Sequence, residues 1–389
     1  MIADQSWGAI LLAAVPWLAV PSFFLLRVRG RSSLSEYPSS VPSDAPLVSV
    51  IVPARNEERN IEACMRSILA GKWTNLEVIV VDDQSSDGTG DIARRIAAGD
   101  ARVQVIANPD LPEGWIGKQW ACHNGQIAAN GKLLLFTDAD TRHGTELLAR
   151  SISAMRKRKA DLFTVAGLQT MESFWERLLQ PHIFGLLLAR FGDMNRVNAS
   201  DDPLDKIANG QFMLVRTDTY DRAGGHEAVR THVAEDLRLA QEWTRLGFSV
   251  QIVEGFDYMS TRMYEGFGEI WRGWGKNVWA AGRDTIADDA LIRAMVRVAA
   301  PLVPLWEIVP FLAIVLALAG IAPVAVGLWG AVAYAINTIY WVIIHLAFRA
   351  SVLYAPLNPL AACVLMGLFG SASWRGDRVE WKGRSYVSR

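Results

Sequence analysis

Two carboxylates, Asp138 and Asp140, end the apolar run Leu133-Leu134-Leu135-Phe136-Thr137. A run this short, bounded by Gly131 and Lys132, suits a central strand better than a helix. In an extended segment residues two apart point to the same side. Hard oxygen donors placed that way can hold Mg2+ or Mn2+ and, through the ion, a diphosphate. Alone, such a pair is more often a solvated turn, so its weight comes from its neighbours. Two further apolar runs end in the same manner. Leu47 to Val52 leads into Pro53-Ala54-Arg55-Asn56-Glu57-Glu58, and Leu76 to Val81 into Asp82-Asp83-Gln84-Ser85-Ser86-Asp87-Gly88-Thr89.

These runs predict strands, with helices between them through Ile61, Met65, Ile68 and Leu69, then through Ile92 and Ile96 behind Asp87 as a cap. Val103 to Ile106 reads as a short third strand and Leu133 to Thr137 as the fourth. The alternation predicts an α/β fold with a mostly parallel central sheet, its strand ends converging on one crevice. There Asp83 can accept the imide N–H of a uracil-type base. The turn Pro53-Ala54-Arg55-Asn56-Glu57 offers backbone groups and a carboxylate to base and ribose. Asp138 can reach a ribose hydroxyl and Asp140 a metal. Asp82 either joins this set or satisfies backbone N–H groups. Lys118, in Gly114-Trp115-Ile116-Gly117-Lys118-Gln119-Trp120, is a point charge that could approach the nucleotide from the side. His123 and His143 read as structural, since no second histidine accompanies either at helical spacing. Asp236, beside Glu235, opens a helix through Trp243 and Leu246, where a carboxylate is favourable in any case.

At 389 residues, 51% of them hydrophobic, and with a mean hydropathy of +0.16, the chain is too apolar for an average soluble enzyme. A net charge of −1 argues against a nucleic-acid partner, and three scattered cysteines are neither a disulfide framework nor a metal cluster. Trp7 to Leu26 is long enough to span a bilayer. Arg27, Arg29 and Arg31 follow it, whereas a cleaved signal peptide wants its charge in front. The positive-inside rule then puts the N-terminus outside and the following domain in the cytoplasm. The expected organisation is an anchor over 1–31, a Ser- and Pro-rich linker over 32–46, and a catalytic domain over 47–283. A membrane region over 284–374 and a basic tail over 375–389 complete it. Within the domain, amphipathic helices near 172–196 and 265–283 suit a bilayer surface. Of the apolar stretches Ala299–Gly320, Ile321–Phe348 and Val352–Ala372, the first two can span. Length favours spanning for the third, and the basic tail favours re-entry.

The ordered set Pro53-Ala54-Arg55-Asn56-Glu57, Val80-Val81-Asp82-Asp83 with Ser86-Asp87-Gly88-Thr89, Gly117-Lys118 and Asp138-Ala139-Asp140 resembles the motifs of family 2 glycosyltransferases with the GT-A fold. Gly210-Gln211-Phe212, Gly224-Gly225-His226, Glu235-Asp236-Leu237 and Gly273-Trp274-Gly275-Lys276-Asn277 continue the resemblance in the order of the membrane-bound subgroup that glycosylates lipids, carotenoid acids among them. The resemblance implies a UDP-sugar donor, Mg2+ or Mn2+, and a lipid or isoprenoid acceptor. It implies a multi-pass protein of the inner (plasma) membrane with its catalytic domain cytoplasmic, and Asp236 as general base of an inverting transfer. Gly210, Gln211, Arg272, Trp274 and Lys276 fall on the acceptor side. Trp271-Arg272-Gly273-Trp274 departs from the family's Q-x-x-R-W, so either Arg272 or Lys276 could face the diphosphate. A processive polysaccharide synthase is the nearer alternative, and a transporter or flippase with a non-catalytic domain the more distant one. Trp381-Lys382-Gly383-Arg384 resembles a tail of some lipid glycosyltransferases, which favours the cytoplasmic side for the tail while a spanning third stretch would put it outside.

Overall fold

The four apolar runs are strands in the computed structural model, which describes residues 7–28, 30, 32–286, 289–376, 378–381 and 384–387. The strands are β1 (Val48–Ala54), β2 (Leu76–Asp82), β3 (Val103–Ala107), β4 (Leu133–Phe136), β5 (Thr141–His143), β6 (Leu162–Ala166), β7 (Leu168–Gln169), β8 (Met213–Arg216), β9 (Val250–Glu254), β10 (Met259–Thr261), β11 (Arg378–Trp381) and β12 (Arg384–Val387). The central sheet runs β3-β2-β1-β4-β8-β6-β9, with β8 antiparallel to both neighbours and the other pairings parallel. Because β2 lies on one side of β1 and β4 on the other, the winding reverses there, and such a switch point opens a ligand crevice at the strand ends.

The helices are α1 (Trp7–Leu26), α2 (Ile61–Leu69), α3 (Thr89–Gly99), α4 (Gly117–Ile127), α5 (Leu147–Arg158), α6 (Phe174–Phe191), α7 (Met194–Ala199), α8 (Thr217–Arg222), α9 (Glu235–Arg245), α10 (Phe267–Asp284), α11 (Ala290–Ala299), α12 (Leu305–Leu318), α13 (Val324–Ala347) and α14 (Asn358–Arg375). Asp87 is not the cap its spacing suggests: Gly88 holds the N-cap position of α3, and Asp87, one residue earlier, accepts the Thr89 N–H at 3.0 Å within the preceding turn. Alternate strand residues face opposite sides. Val48, Val50 and Val52 pack with Ile61, Met65, Leu147 and Ile152 of α2 and α5. Ile51, Ile79, Leu134 and Phe136 pack with Leu239 and Trp243 of α9 on the other face. Both faces are covered, which is why the strands read as continuous apolar runs.

Residues 32–46 are more than a linker. Leu34 and Tyr37 are buried in the main core, Ser33 and Glu36 form a reciprocal cap on the turn Leu34–Glu36, and Ser33 bridges to Glu254. Two apolar side chains anchor a segment whose average composition is polar.

By length and composition, Trp7–Leu26, Ala290–Leu318, Val324–Ala347 and Val352–Arg375 could cross a membrane. Trp17 of α1 stacks on Trp306 with centroids 4.2 Å apart and donates its indole N–H to Trp306 O at 3.0 Å. Arg27 donates to Ala189 O at 3.2 Å near the end of α6, where a cation meets the helix's unsatisfied carbonyls. Helices α6 and α10 bury Leu178, Leu179, Ile183, Ile270 and Trp274 against Ala361, Leu365, Leu368 and Phe369 of α14. Arg349, just past α13, pairs with Asp257 of the α/β domain at 2.5 Å, and Arg384, past α14, bonds Asp83 at 2.8 Å. The segment between them therefore starts and finishes against that domain. Asp4, Arg29, Arg31, Lys382, Gly383 and Arg389 lie outside the described residues.

Leu135, fully buried in β4, tests the sheet as scaffold. Leu135→Ala should cost about 2–5 kcal/mol, read as a lower urea midpoint of the detergent-solubilised protein with an unchanged denaturant slope.

Candidate active site

Asp138 and Asp140 leave β4 on a turn held by a buried hydroxyl network. Thr137 Oγ1 donates to Gln211 O at 2.7 Å, and Thr141 Oγ1 donates to Asp138 O at 2.8 Å. His143 Nε2 lies 3.0 Å from Thr137 Oγ1, and burial pushes its imidazole down to about 3. A neutral histidine thus braces the turn, as the structural reading expects. Thr261 Oγ1 of β10 donates to Asp140 O at 3.2 Å, which fixes the far side.

Lys118, at the start of α4, is built into the floor of the site. Its Nζ lies 2.7 Å from Asp138 Oδ1 and 2.8 Å from Glu235 Oε1. Burial opposes charge on Lys118, but Asp138 and Glu235 outweigh it and hold the ammonium well above its ordinary value. Burial likewise opposes ionised Glu235, and Lys118 reverses the balance, so its carboxyl is lowered. The sequence suggests an approach from the side; the structure has the lysine bridging two acidic elements.

Asp236 sits at the N-terminus of α9. Its Oδ2 accepts the Gly210 N–H and its Oδ1 the Leu237 N–H, each at 2.8 Å. Burial first, then the adjacent Glu235 charge, raises its carboxyl to about 6 against the pull of Lys118 and these two N–H groups. A Cβ on Gly210 would lie 3.1 Å from Asp236 Oδ2, 3.2 Å from Lys118 Nζ and 3.3 Å from Glu235 Oε1. Residue 210 is where the three charged groups converge, and a side chain there would push them apart.

These groups line one cavity of about 1060 Å³. Every site residue singled out from the sequence lines it except Asp82, whose carboxylate accepts the Ser85 N–H at 3.0 Å and holds the turn after β2. Asp82 is thus a turn residue, and Asp83 is the one that faces the crevice. Arg272 and Lys276, one turn apart on α10, both reach the cavity, as does Trp274, whose indole N–H is buried with no hydrogen-bond partner among the described residues. The tail reads in the sequence only as a marker of membrane side, yet Tyr386 lines the cavity and Arg384 bonds Asp83.

Among the described residues no cluster of three or more His, Cys, Asp or Glu side chains could hold a metal unaided. Asp138 and Asp140, both lining the cavity, fit an ion that takes one or two carboxylates and fills its shell with substrate phosphates and water, as Mg2+ does.

Residues 49–222 match the family model described as glycosyl transferase family 2. These residues carry a family 2 glycosyltransferase domain. It is similar to the 4,4'-diaponeurosporenoate glycosyltransferase of Staphylococcus haemolyticus (strain JCSC1435), 29% identical over 241 residues, 61% of this chain and 62% of the relative. The enzyme of the same name from Staphylococcus aureus (strain USA300) is 30% identical over 237 residues, 59% of this chain and 60% of the relative. The match spans about three fifths of the length of these curated relatives. Among solved structures, the mannosyltransferase PcManGT from Pyrobaculum calidifontis, in complex with GDP-Man and Mn2+, superposes with a TM-score of 0.56 at 17% identity, covering 94% of this chain and 97% of that one. The shared fold is GT-A, an α/β fold with a mostly parallel sheet, here carrying apolar helices in its N- and C-terminal regions.

Lys118→Met leaves Glu235 and Asp138 without their cation. Unfolding free energy should fall by about 3 kcal/mol, the low end for a broken buried pair because the Asp138 side chain is 27% exposed. Chemical denaturation in detergent checks it, with Lys118→Arg as the charge-retaining control.

Proposed function

We propose that the chain transfers a sugar from a nucleotide sugar, a UDP-sugar, to a lipid or isoprenoid acceptor at the membrane face, by a single inverting displacement. The observation that carries this reading is that one cavity has two kinds of wall. Strand-end groups suited to a nucleotide diphosphate and the apolar side chains Ile183, Phe184, Leu187, Val278, Phe348 and Phe369 line the same space. The apolar wall belongs to helices packed on candidate membrane segments, which favours an acceptor with a long apolar body. The name of the curated relatives, a carotenoid-type acid as acceptor, supports the same class. A growing polysaccharide would find few hydrogen-bond partners on that wall, which disfavours a processive synthase.

Asp236 takes the proton of the acceptor hydroxyl as that oxygen bonds to the anomeric carbon. The bond from this carbon to the diphosphate oxygen breaks, and its electron pair leaves with the nucleoside diphosphate. A carboxyl raised to about 6 is mostly ionised at neutral pH and basic enough to accept the proton. Attack opposite the leaving group turns an α-linked donor into a β-linked product. Lys118 keeps Asp138 and Glu235 in place, and Asp83 and the turn after β1 hold base and ribose. Asp140, with Asp138, would hold Mg2+ or Mn2+, which when bound neutralises charge building on the diphosphate. Arg272 and Lys276 add fixed positive charge on the opposite wall.

In this reading α1 enters from outside, the catalytic domain is cytoplasmic at the inner membrane, and α12 and α13 form a hairpin turning near Gly320–Pro323. Helix α14 lies along the domain without crossing, because the chain contacts the domain both before it, at Arg349, and after it, at Arg384.

Membranes supplied with labelled UDP-sugars and Mn2+ should yield a labelled glycolipid by mass spectrometry of the lipid extract, with a β-anomeric product by NMR; an α product from an α donor rules out single displacement. Asp236→Asn should lower kcat by about 10²–10⁴-fold with UDP affinity retained. A neutral Asp236 cannot act as base, so wild-type kcat should fall as pH drops through about 6 and level off above it. Near-full turnover in Asp236→Asn would remove the base and point to an acceptor that is already ionised. Asp140→Ala should abolish the Mn2+ dependence of UDP binding, measured by calorimetry.

A further inference from the structure

The C-terminal hairpin reaches the end of the cavity where β1 and β2 finish. Strands β11 and β12 pair antiparallel, Arg378 with Val387 through Trp381 with Arg384. A two-stranded ribbon alone is marginally stable, so its position depends on what it touches. Arg384 Nη1 donates to Asp83 Oδ2 and Nη2 to Gln84 Oε1, both at 2.8 Å. The Asp83 side chain is 3% exposed. Its Oδ1 accepts from Asn108 Nδ2 at 2.8 Å, and its backbone carbonyl accepts from Arg55 Nη1 at 2.6 Å. Gln84 holds φ 57°, and Asn56, at the end of the neighbouring strand, holds φ 52°. Non-glycine residues in the left-handed region are costly and concentrate where a ligand is clamped. Here they turn both strand ends toward the same corner.

Tyr386 supplies a second, independent sign. It lines the cavity, and its hydroxyl is buried with no hydrogen-bond partner among the described residues. A buried hydroxyl is normally satisfied, and a ligand in the cavity would satisfy this one.

We propose that the C-terminal hairpin forms part of the nucleotide site: Arg384 positions the Asp83 carboxylate, and Tyr386 contacts the bound nucleoside diphosphate directly. This deepens the donor reading above and rests on Asp83 facing the base. An ionised carboxylate has about four lone-pair positions. Asn108 takes one on Oδ1 and Arg384 one on Oδ2, with the Arg55 guanidinium 3.7 Å from Oδ2, and in this proposal a remaining position on the cavity side accepts the imide N–H of the base. The forked guanidinium fixes the carboxylate plane, and its contact with Gln84 fixes the guanidinium. The Tyr386 hydroxyl donates to a ribose or phosphate oxygen. Since the hairpin and the nucleotide share these contacts, each orders the other, and the coupling is reciprocal.

The test is calorimetric titration of the full-length protein in detergent with UDP, and separately GDP, in the presence of Mn2+. Arg384→Ala and Tyr386→Phe should each weaken UDP binding by about tenfold, the loss of one good hydrogen-bonding contact. Arg384→Lys should recover part of the loss, because it keeps the charge and gives up the fork. In an Asp83→Ala background, Arg384→Ala should cost nothing further, as expected of a residue that acts through Asp83. Amide exchange at 384–387 should slow when UDP binds. Wild-type binding of UDP that is unchanged, or tightened, in Arg384→Ala overturns the role of Arg384, as does a further loss in the Asp83→Ala background. Unchanged affinity in Tyr386→Phe overturns that of Tyr386. A wild-type protein that binds neither UDP nor GDP overturns the donor reading itself, and this inference with it.

Discussion

A single ammonium holds the acidic centre of this protein together. Lys118, Asp138 and Glu235 come from α4, from the turn after β4 and from α9, and their charged atoms meet within 2.8 Å. Two unit charges about 4 Å apart attract by about 4 kcal/mol at an effective dielectric near 20, and taking each ion out of water costs several kcal/mol. The terms nearly cancel, so the cluster adds little to stability as a whole. Its value is positional: the lysine lets Asp138, Glu235 and Asp236 share one buried corner. Gly210 belongs to the same constraint, because a side chain there would occupy the space in which the charges converge.

The second constraint is that the α/β domain and the apolar helices share walls. Arg27 ties the end of α1 to carbonyls of α6, and α6 and α10 cover α14 on one side while lining the cavity on the other. A Cβ on Gly185 of α6 would come 3.0 Å from the Trp341 ring of α13, so the two helices touch with no slack. Polar strand ends and apolar helix faces thereby open into one space instead of two.

The strands of the donor half were legible because each is a short apolar run that stops at carboxylates, and burial on both faces leaves that signature wherever a parallel sheet lies between helices. The paired residues Asp138 and Asp140, and Asp236 at a helix start, were legible for the same local reasons. What joins them was not. Lys118 meets Glu235 across more than a hundred residues of sequence, and nothing local marks a lysine as buried. Asp82 and Asp83 are adjacent and chemically alike; only the turn geometry, with Ser85 N–H on Asp82, separates the structural one from the one facing the crevice. The segment 32–46 read as a linker because Leu34 and Tyr37 are outnumbered by serines and prolines. The tail showed its basic charge but not its partner Asp83, 301 positions away.

The cover on α6 and α10 also arrives late in the life of the chain. Leu178, Leu179, Ile183, Ile270 and Trp274 are buried by Ala361, Leu365, Leu368 and Phe369, which the ribosome adds about ninety residues after Trp274. At a synthesis rate of about 5–20 residues per second, the rest of the domain has emerged while that apolar face stays uncovered for roughly 5–20 s. Helix α1, long and apolar enough to cross a membrane, is made first, and Arg27 holds the domain close to it. Helix α14 therefore closes a hydrophobic surface that stands open while every earlier element of the domain is already made.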